Sequence, residues 1–492
     1  MNQLRANIVS NRLLEAFYPA AMTYPDKIAL MTDRSQMSYT DILSLMQVLD
    51  IQLKTRGVRE GQTIVVDTDR SELCIAFSLL LSLRSLTVVF TSARLAVRRE
   101  VAFDRIVTMA AVEDVPLEKQ IVMEPDWFSL MGTIPLPRYE NLPGSGGCFV
   151  TPTSGTTGIP KLVRSPEASR MHDLLAMESL ALDELLAMRF MTTAGPNTGW
   201  AMNRTLPVLL AGGSVLSLGN DTSNFLPHVD QWRVSHLSVT PSVLQMALKI
   251  PNAAQYLTSV KSIELGGAYT PPALLSAMRK ICPAELVVSY GATEVGALCR
   301  HVHSEGVEPQ EGCLGEIVRP DLELLLLDEN LQETPGATEG ILAVRPPEHA
   351  QRDYLQPDDQ DDGAGFREGL FVTGDIVRRE GNSLYLVGRH KRVLNLNGNK
   401  YSLDGIQAVL ARGLPAGTES AAVATVDSDG LEQLVVFYAA PVQISASDIE
   451  AVLTNHWKKL TLGAAYQVPE MPMTPSGKFD LGALKSVMLG AQ

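Results

Sequence analysis

The residues best equipped for chemistry stand between Thr151 and Lys161, in the run TPTSGTTGIPK. Four hydroxyl side chains (Thr153, Ser154, Thr156, Thr157) and two glycines (Gly155, Gly158) precede one lysine, Lys161. Glycine lets the backbone turn at positive φ and leaves its N–H groups uncovered. Successive N–H groups aimed into one concavity form an anion nest, hydroxyls add donors, and the lysine adds a compact positive charge. The pattern suits a polyphosphate, such as the β- and γ-phosphates of a nucleotide. It is not the G-x-x-x-x-G-K-[ST] loop, because Pro160 precedes the lysine and Leu162 follows it. A Ser/Thr/Gly surface turn would read similarly, but this run follows the apolar Cys148-Phe149-Val150 and closes on a lysine.

Further along, the apolar Leu286–Val288 leads into Ser289 and then Tyr290-Gly291-Ala292-Thr293-Glu294. The tyrosine offers a flat face for a base, Thr293 a hydroxyl for a phosphate, and Glu294 an oxygen ligand for Mg²⁺. Gly266 and Gly267 follow the strand-like Ser262–Leu265. Ligands in open α/β sheets bind beyond the carboxyl ends of strands, so these glycines line a pocket or make a tight packing turn. Leu370–Asp375 (LFVTGD) reads as a strand ending on a carboxylate, placed for bidentate bonds to ribose hydroxyls or for capping a turn.

Taken together, these motifs resemble the AMP-forming adenylating enzymes: acyl- and aryl-CoA synthetases, adenylation domains of nonribosomal peptide synthetases, and luciferases. TSGTTGIPK, Tyr-Gly-Ala-Thr-Glu, Thr-Gly-Asp and the C-terminal Thr-Pro-Ser-Gly-Lys at 474–478 occur in the family's order. Their joint chance occurrence is far below that of any one. The resemblance implies ATP and Mg²⁺ as cofactors, Lys478 as the adenylation lysine, Thr293 and Glu294 as catalytic, and Glu294 as metal ligand. It gives Asp375 to the ribose, Arg389 to ribose or phosphate, and Tyr290 and Gly291 to the nucleotide. The hinge falls on Lys391. Asn197 falls where aryl-acid-activating members carry Asn, and the Asp that pairs a substrate ammonium in amino-acid-activating members falls near Gly199. With Gly266, Gly267, Ala268 and Ser289, Asn197 makes a small, neutral set of pocket candidates. This leans toward an aryl or cyclic acid over an α-amino acid or a long fatty acid.

The implied reaction is carboxylate plus ATP giving acyl-AMP and pyrophosphate, then transfer to the thiol of CoA or of carrier-protein phosphopantetheine, as in secondary metabolism. Around the hinge the family's Asp, Lys and Glu are replaced by Arg392, Asn395 and Gly405. Direct transfer to an amine, giving an amide, therefore stays open, as does a stand-alone amino-acid-activating enzyme. A non-catalytic nucleotide-binding regulator would bind ATP without releasing pyrophosphate. With no carrier domain after Gln492, a carrier protein is expected to act in trans.

The elements that must position these residues read as α/β layers. Residues 38–55 carry Ile42, Leu45, Met46, Leu49 and Leu53 at helical spacing, with Ser38 or Thr40 as a cap. Thr63–Asp67 reads as strand, Ser71–Leu83 as helix and Leu86–Phe90 as strand, which predicts a parallel sheet. Glu167–Leu186 reads as one long amphipathic helix, 312–345 as a small antiparallel β subdomain, and 357–369 as a mobile acidic loop with a solvated Asp cluster. The expected fold class is α/β: a large N-terminal domain (1–388) of layered parallel-sheet subdomains plus a small β subdomain, then a small mobile α+β C-terminal domain (389–492) carrying the lysine.

Composition agrees with a globular chain of 492 residues, 45% hydrophobic and 20% charged, above the size at which single cores split. A net charge of −14 disfavours nucleic-acid or anionic-membrane partners. Five scattered cysteines without CxxC spacing fit a reducing compartment. No secretory h-region and no run of 18 apolar residues is visible, so a cytoplasmic protein is expected.

Overall fold

A computed structural model describes residues 12–142, 144, 146–153, 160–176, 182–219, 224–303, 310–356, 364–390, 393–396, 399–426, 432–473 and 479–490. Ser154, Gly155, Thr156, Thr157, Gly158, Lys391, Lys478 and the Asp358–Asp362 cluster lie outside the described residues. The chain divides into two compact units, 1–322 with 346–359, and 323–345 with 360–492.

The first unit is built on two largely parallel sheets. In one, the strands Glu285–Ala292, Ser262–Leu265, His236–Val239, Arg189–Thr192, Ser214–Ser217 and Ile28–Met31 run parallel in that spatial order. Gly296–His303 and Cys313–Ile317 continue it antiparallel beside Glu285–Ala292. The other sheet is seven-stranded, with Cys148–Pro152, Thr87–Phe90, Thr63–Val66, Arg105–Thr108 and Gln120–Val122 parallel. Leu162–Pro166 and then Asp353–Tyr354 are added antiparallel beyond Cys148–Pro152.

Strand alternation explains the layering. Ile64 and Val66 join Leu30, Val88, Phe149 and Val215 in one shared core, while Val65, Val89 and Val150 face the other way. The shared core therefore lies between the sheets. The helix Ser71–Arg84 occupies it, with every side chain from Ser71 to Ser82 buried, as its all-round apolar sequence requires. Met31, Met191, Leu216 and Leu237 form a separate core on the opposite face of the first sheet. The helix Tyr39–Thr55 starts at a capping box: Ser38 Oγ accepts from the Asp41 N–H at 3.1 Å and Asp41 Oδ2 from the Ser38 N–H at 2.8 Å.

Within the expected Glu167–Leu186 helix, Glu167–Ala176 and Leu182–Ala187 are helical, and 177–181 lie outside the described residues. Two other sequence expectations change. Within the loop expected at 357–369, Gly365–Arg367 is a strand paired with Leu370–Glu380. Asp375 is not at a strand end; Leu370–Glu380 runs on past it, because Gly374 takes φ of 75° and the alternation resumes as Ile376-Val377.

The second unit contains the antiparallel strands Glu323–Leu327, Glu339–Arg345, Leu370–Glu380 and Ser383–Arg389. It also holds the hairpin Val393–Leu396/Asn399–Ser402 and a three-stranded sheet, Glu419–Val426, Glu432–Ala439 and Leu462–Gln467. The helices Leu403–Gly413 and Ala446–His456 contribute Ile406, Leu410, Ile449 and Leu453 to its core. No helix among the described residues is long and apolar enough to cross a membrane.

Candidate active site

Cys148–Pro152 and Leu162–Pro166 form an antiparallel pair whose last register is Pro152 opposite Leu162. The Thr153 N–H donates to the Lys161 carbonyl at 2.8 Å. The glycine-threonine loop is thus closed at its base by a ladder, which fixes where Thr153 and Lys161 leave the sheet.

Tyr290-Gly291-Ala292-Thr293-Glu294 spans the tip of a second hairpin, a feature the motif alone does not show. Tyr290 opposes Cys299, Gly291 opposes Ala297 and Ala292 opposes Gly296, with a register shift after Tyr290. A Cβ on Gly291 would overlap the Gly296 carbonyl, and Gly296 itself has φ of 81°. The two glycines let the strands cross closely enough to present Thr293 and Glu294 at the apex.

Segment 352–354 braces that apex. Tyr354 OH donates to Glu294 Oε1 at 3.1 Å, and Arg352 Nη1 donates to the Thr293 carbonyl at 2.6 Å. Lys161 Nζ lies 4.9 Å from the centre of the Tyr354 ring, a cation–π distance. Glu294 is 8% exposed. Burial pushes its carboxyl up, opposed by its own backbone N–H, Tyr354, Lys161 and Arg352. Among the described residues no three His, Cys, Asp or Glu side chains converge on a metal position. Mg²⁺ needs no such cage, since it keeps waters and binds through one or two carboxylates plus substrate phosphates. Glu294, a hard oxygen donor beside a lysine-closed loop, fits that donor set.

The turn 194–198 lies beside both hairpins. Gly199 opens the helix Gly199–Leu210, capped by Thr198 Oγ1 accepting from the Ala201 N–H at 3.2 Å. A Cβ on Gly199 would lie 3.0 Å from Thr293 Cγ2 and 3.4 Å from Thr151 Oγ1. Asn197, half-buried, is two residues from that junction. Trp200 donates its indole N–H to Ser238 Oγ at 3.0 Å, and its ring fills the space over Gly266. Gly267 and Ala268 are exposed, Gly267 at φ of 78°.

Behind this wall stands a buried ion pair that the motifs did not reveal. Arg204 Nε and Nη2 each lie 2.7 Å from a different oxygen of Glu264. Ser289 Oγ donates to Glu264 Oε1 at 2.5 Å, and the Arg204 guanidinium lies 4.2 Å from the Trp200 ring centre. A signal existed in the sequence: a lone glutamate between Ile263 and Leu265 in a buried parallel strand demands a cation.

In the second unit, Asp375 and Arg389 are cross-strand partners, with Arg389 Nε 2.7 Å from Asp375 Oδ1. Asp375 is buried, and its N–H donates to Thr373 Oγ1 at 3.0 Å.

A sequence profile described as "AMP-binding enzyme" matches residues 87–355, more than half of the chain. The chain belongs to this family, the AMP-forming adenylating enzymes. Triostin synthetase I of Streptomyces triostinicus is 27% identical over 381 residues, covering 73% of this chain and 68% of that protein. The salicylyl-CoA synthase / salicylate adenylyltransferase of a Streptomyces species is 27% identical over 363 residues, covering 71% and 64%. The match to the salicylate enzyme thus spans under two thirds of its length. Among solved structures, the anthranilate CoA ligase AuaEII in complex with anthranoyl-AMP superposes with a TM-score of 0.81 over 98% of both chains, at 18% identity. This adenylating enzyme thus shares the family's fold along nearly its whole length. Its family profile spans both hairpins and ends at Leu355, just beyond the bracing segment.

Proposed function

We propose that this chain activates an aryl or cyclic carboxylic acid as its acyl-adenylate and passes the acyl group to a thiol, CoA or carrier-protein phosphopantetheine. The observation that carries the acid class is the state of Glu264. Its two carboxylate oxygens are taken by Arg204 and Ser289, so the wall beside Gly266 offers no free carboxylate for a substrate ammonium. That wall instead presents an indole, small residues and the neutral Asn197. Relatives named for salicylate and anthranilate support the same class.

In the first step a carboxylate oxygen bonds to the α-phosphorus as the bridging oxygen to the β-phosphate leaves with pyrophosphate. Such chemistry asks mainly for positioning and charge neutralisation. Thr153, Lys161 and the residues between them hold the leaving phosphates, Thr293 donates to a phosphate, and Tyr290 stacks on the base. Glu294 would hold Mg²⁺, which neutralises phosphate charge. Asp375 and Arg389 serve the ribose, and Lys478 the α-phosphate. In the second step the acceptor sulfur attacks the acyl carbonyl and AMP leaves, after the C-terminal domain (389–492) rotates about Lys391. The replacements Arg392, Asn395 and Gly405 keep an amine acceptor as an arm of the test. A cytoplasmic site of action belongs to the same proposal.

The test is acid-dependent ATP–pyrophosphate exchange over aryl, cyclic, fatty and amino acids, followed by CoA, carrier protein or amine supplied separately with products read by mass spectrometry. Exchange with aryl or cyclic acids is expected; exchange confined to amino or fatty acids overturns the acid class. Gly266→Ala places a methyl in the Trp200 ring. Overpacking of this kind destabilises a fold by about 1–3 kcal/mol, and the displaced Trp200 ring should lower kcat/KM for the acid. KM for ATP should stay unchanged, and Trp200→Phe should restore part of the loss.

A further inference from the structure

Arg352, Asp353 and Tyr354 belong to none of the four motifs, yet they tie three parts of the site together. Asp353 pairs with Arg164 and Tyr354 with Val163 on the strand that follows Lys161. Alternation along an extended segment sends Asp353 one way and its neighbours the other. Asp353 receives Arg164 in a fork, with Arg164 Nε 2.7 Å from Oδ1. Tyr354 meets Glu294 with its hydroxyl and Lys161 with its ring.

Arg352 is more deeply set, its side chain 1% exposed. Besides the Thr293 carbonyl, it donates from Nε to Ser169 Oγ at 3.1 Å and pairs through Nη2 with Asp173. Asp173 is held in turn by Arg319 at 3.0 Å, and its Oδ2 lies 2.8 Å from where a Cβ on Gly296 would stand. The turn from Thr293 to Gly296 is therefore fixed at its start by Arg352 and crowded at its end by Asp173. Both groups belong to one buried ion-pair cluster that also holds Arg319 and Arg170. A guanidinium so placed orients a carbonyl firmly, because its own freedom is removed by the carboxylate and hydroxyl it also serves.

We infer that Arg352 and Tyr354 are positioning residues for adenylation, setting the Thr293–Glu294 turn at a fixed distance from Lys161 before nucleotide binds. Arg352 fixes the backbone of the turn, and Tyr354 fixes its carboxylate and the lysine together. The inference rests on the proposal that Glu294 and Lys161 handle the Mg²⁺-bound phosphates. Misplacing reacting groups by about 1 Å can cost on the order of 10²-fold in rate.

The test compares Tyr354→Phe, which keeps the ring under Lys161 and drops only the hydroxyl, with Tyr354→Leu, which drops both. Binding of α,β-methylene-ATP by calorimetry, with and without Mg²⁺, is read beside kcat and KM in pyrophosphate exchange. Tyr354→Phe should lower kcat on the order of tenfold, leave KM for the acid unchanged, and weaken analogue binding only when Mg²⁺ is present. Tyr354→Leu should weaken binding without Mg²⁺ as well. Arg352→Lys, if it folds, should lower kcat with little change in analogue affinity. Thermal melting confirms that the compared variants are folded. Wild-type kcat and wild-type Mg²⁺ dependence in a folded Tyr354→Phe protein would overturn the inference. So would Tyr354→Phe and Tyr354→Leu behaving alike in every nucleotide measurement. The calorimetric arm needs no acid, so a failed acid assignment leaves it readable.

Discussion

Replacing Lys478 with alanine should slow single-turnover acyl-adenylate formation by on the order of 10²–10³-fold, the loss seen when one preorganised donor is taken from a developing oxyanion. As the carboxylate attacks, negative charge redistributes over the α-phosphate oxygens, and an ammonium placed there stabilises the transition state more than the ground state. Lys478 itself lies outside the described residues, but both ends of its loop are held. Met473 and Phe479 form an isolated antiparallel bridge, and the Asp480 N–H donates to the Pro472 carbonyl at 2.8 Å. Phe479 packs against the core that contains Val435, Phe437 and Leu484. These flanking contacts do not involve the Lys478 side chain, so the loss should appear in kcat and not as unfolding. Lys478→Arg should recover only part of the rate, because a planar fork does not replace a compact ammonium. Thioester formation from added acyl-adenylate should survive Lys478→Ala. Unchanged single-turnover adenylation in the alanine variant would remove Lys478 from the mechanism.

The sequence reveals positions more readily than it reveals contacts. Ser38, the helix after it and the strands around Val65 and Val89 follow from local periodicity, so they read directly. Tyr290-Gly291-Ala292-Thr293-Glu294 is legible as a motif, but its place on a hairpin tip depends on Gly291 meeting the Gly296 carbonyl, a contact between strands. LFVTGD reads as a strand ending on Asp375, whereas Gly374 only kinks a longer strand that runs on to Glu380. Arg352 and Tyr354 carry no local signal at all; their meaning comes from Thr293 and Glu294, some sixty positions earlier.

Arg204→Ala should destabilise the protein by about 3 kcal/mol at neutral pH, toward the low end of the range for breaking a buried pair. The low end applies because the Glu264 side chain keeps 18% exposure while Arg204 has 4%. In the intact protein, burial raises the Glu264 carboxyl, but Arg204, Ser289 and Arg300 outweigh it and hold the group below its ordinary value. A depressed carboxyl contributes stability above its unfolded pKa, near 4.3 for glutamate, and loses it as pH falls through the folded value. Without Arg204 the sign reverses: burial dominates, the folded pKa rises, and ionised Glu264 becomes a penalty that grows as pH climbs above about 4.3. The gap in melting temperature between wild type and variant should therefore be wide at pH 7–8 and narrow toward pH 5. Removing both charges in Arg204→Met with Glu264→Met should recover much of the loss, since an apolar pair of similar volume needs no counter-charge. The same double variant strips the polar backing from Trp200 and Ser289, so it should keep the fold while relaxing selection among acids. Scanning calorimetry across pH settles the electrostatic part: a wild-type-to-variant gap that stays constant from pH 5 to 8 would mean that Arg204 stabilises by packing against Trp200 and not by its charge.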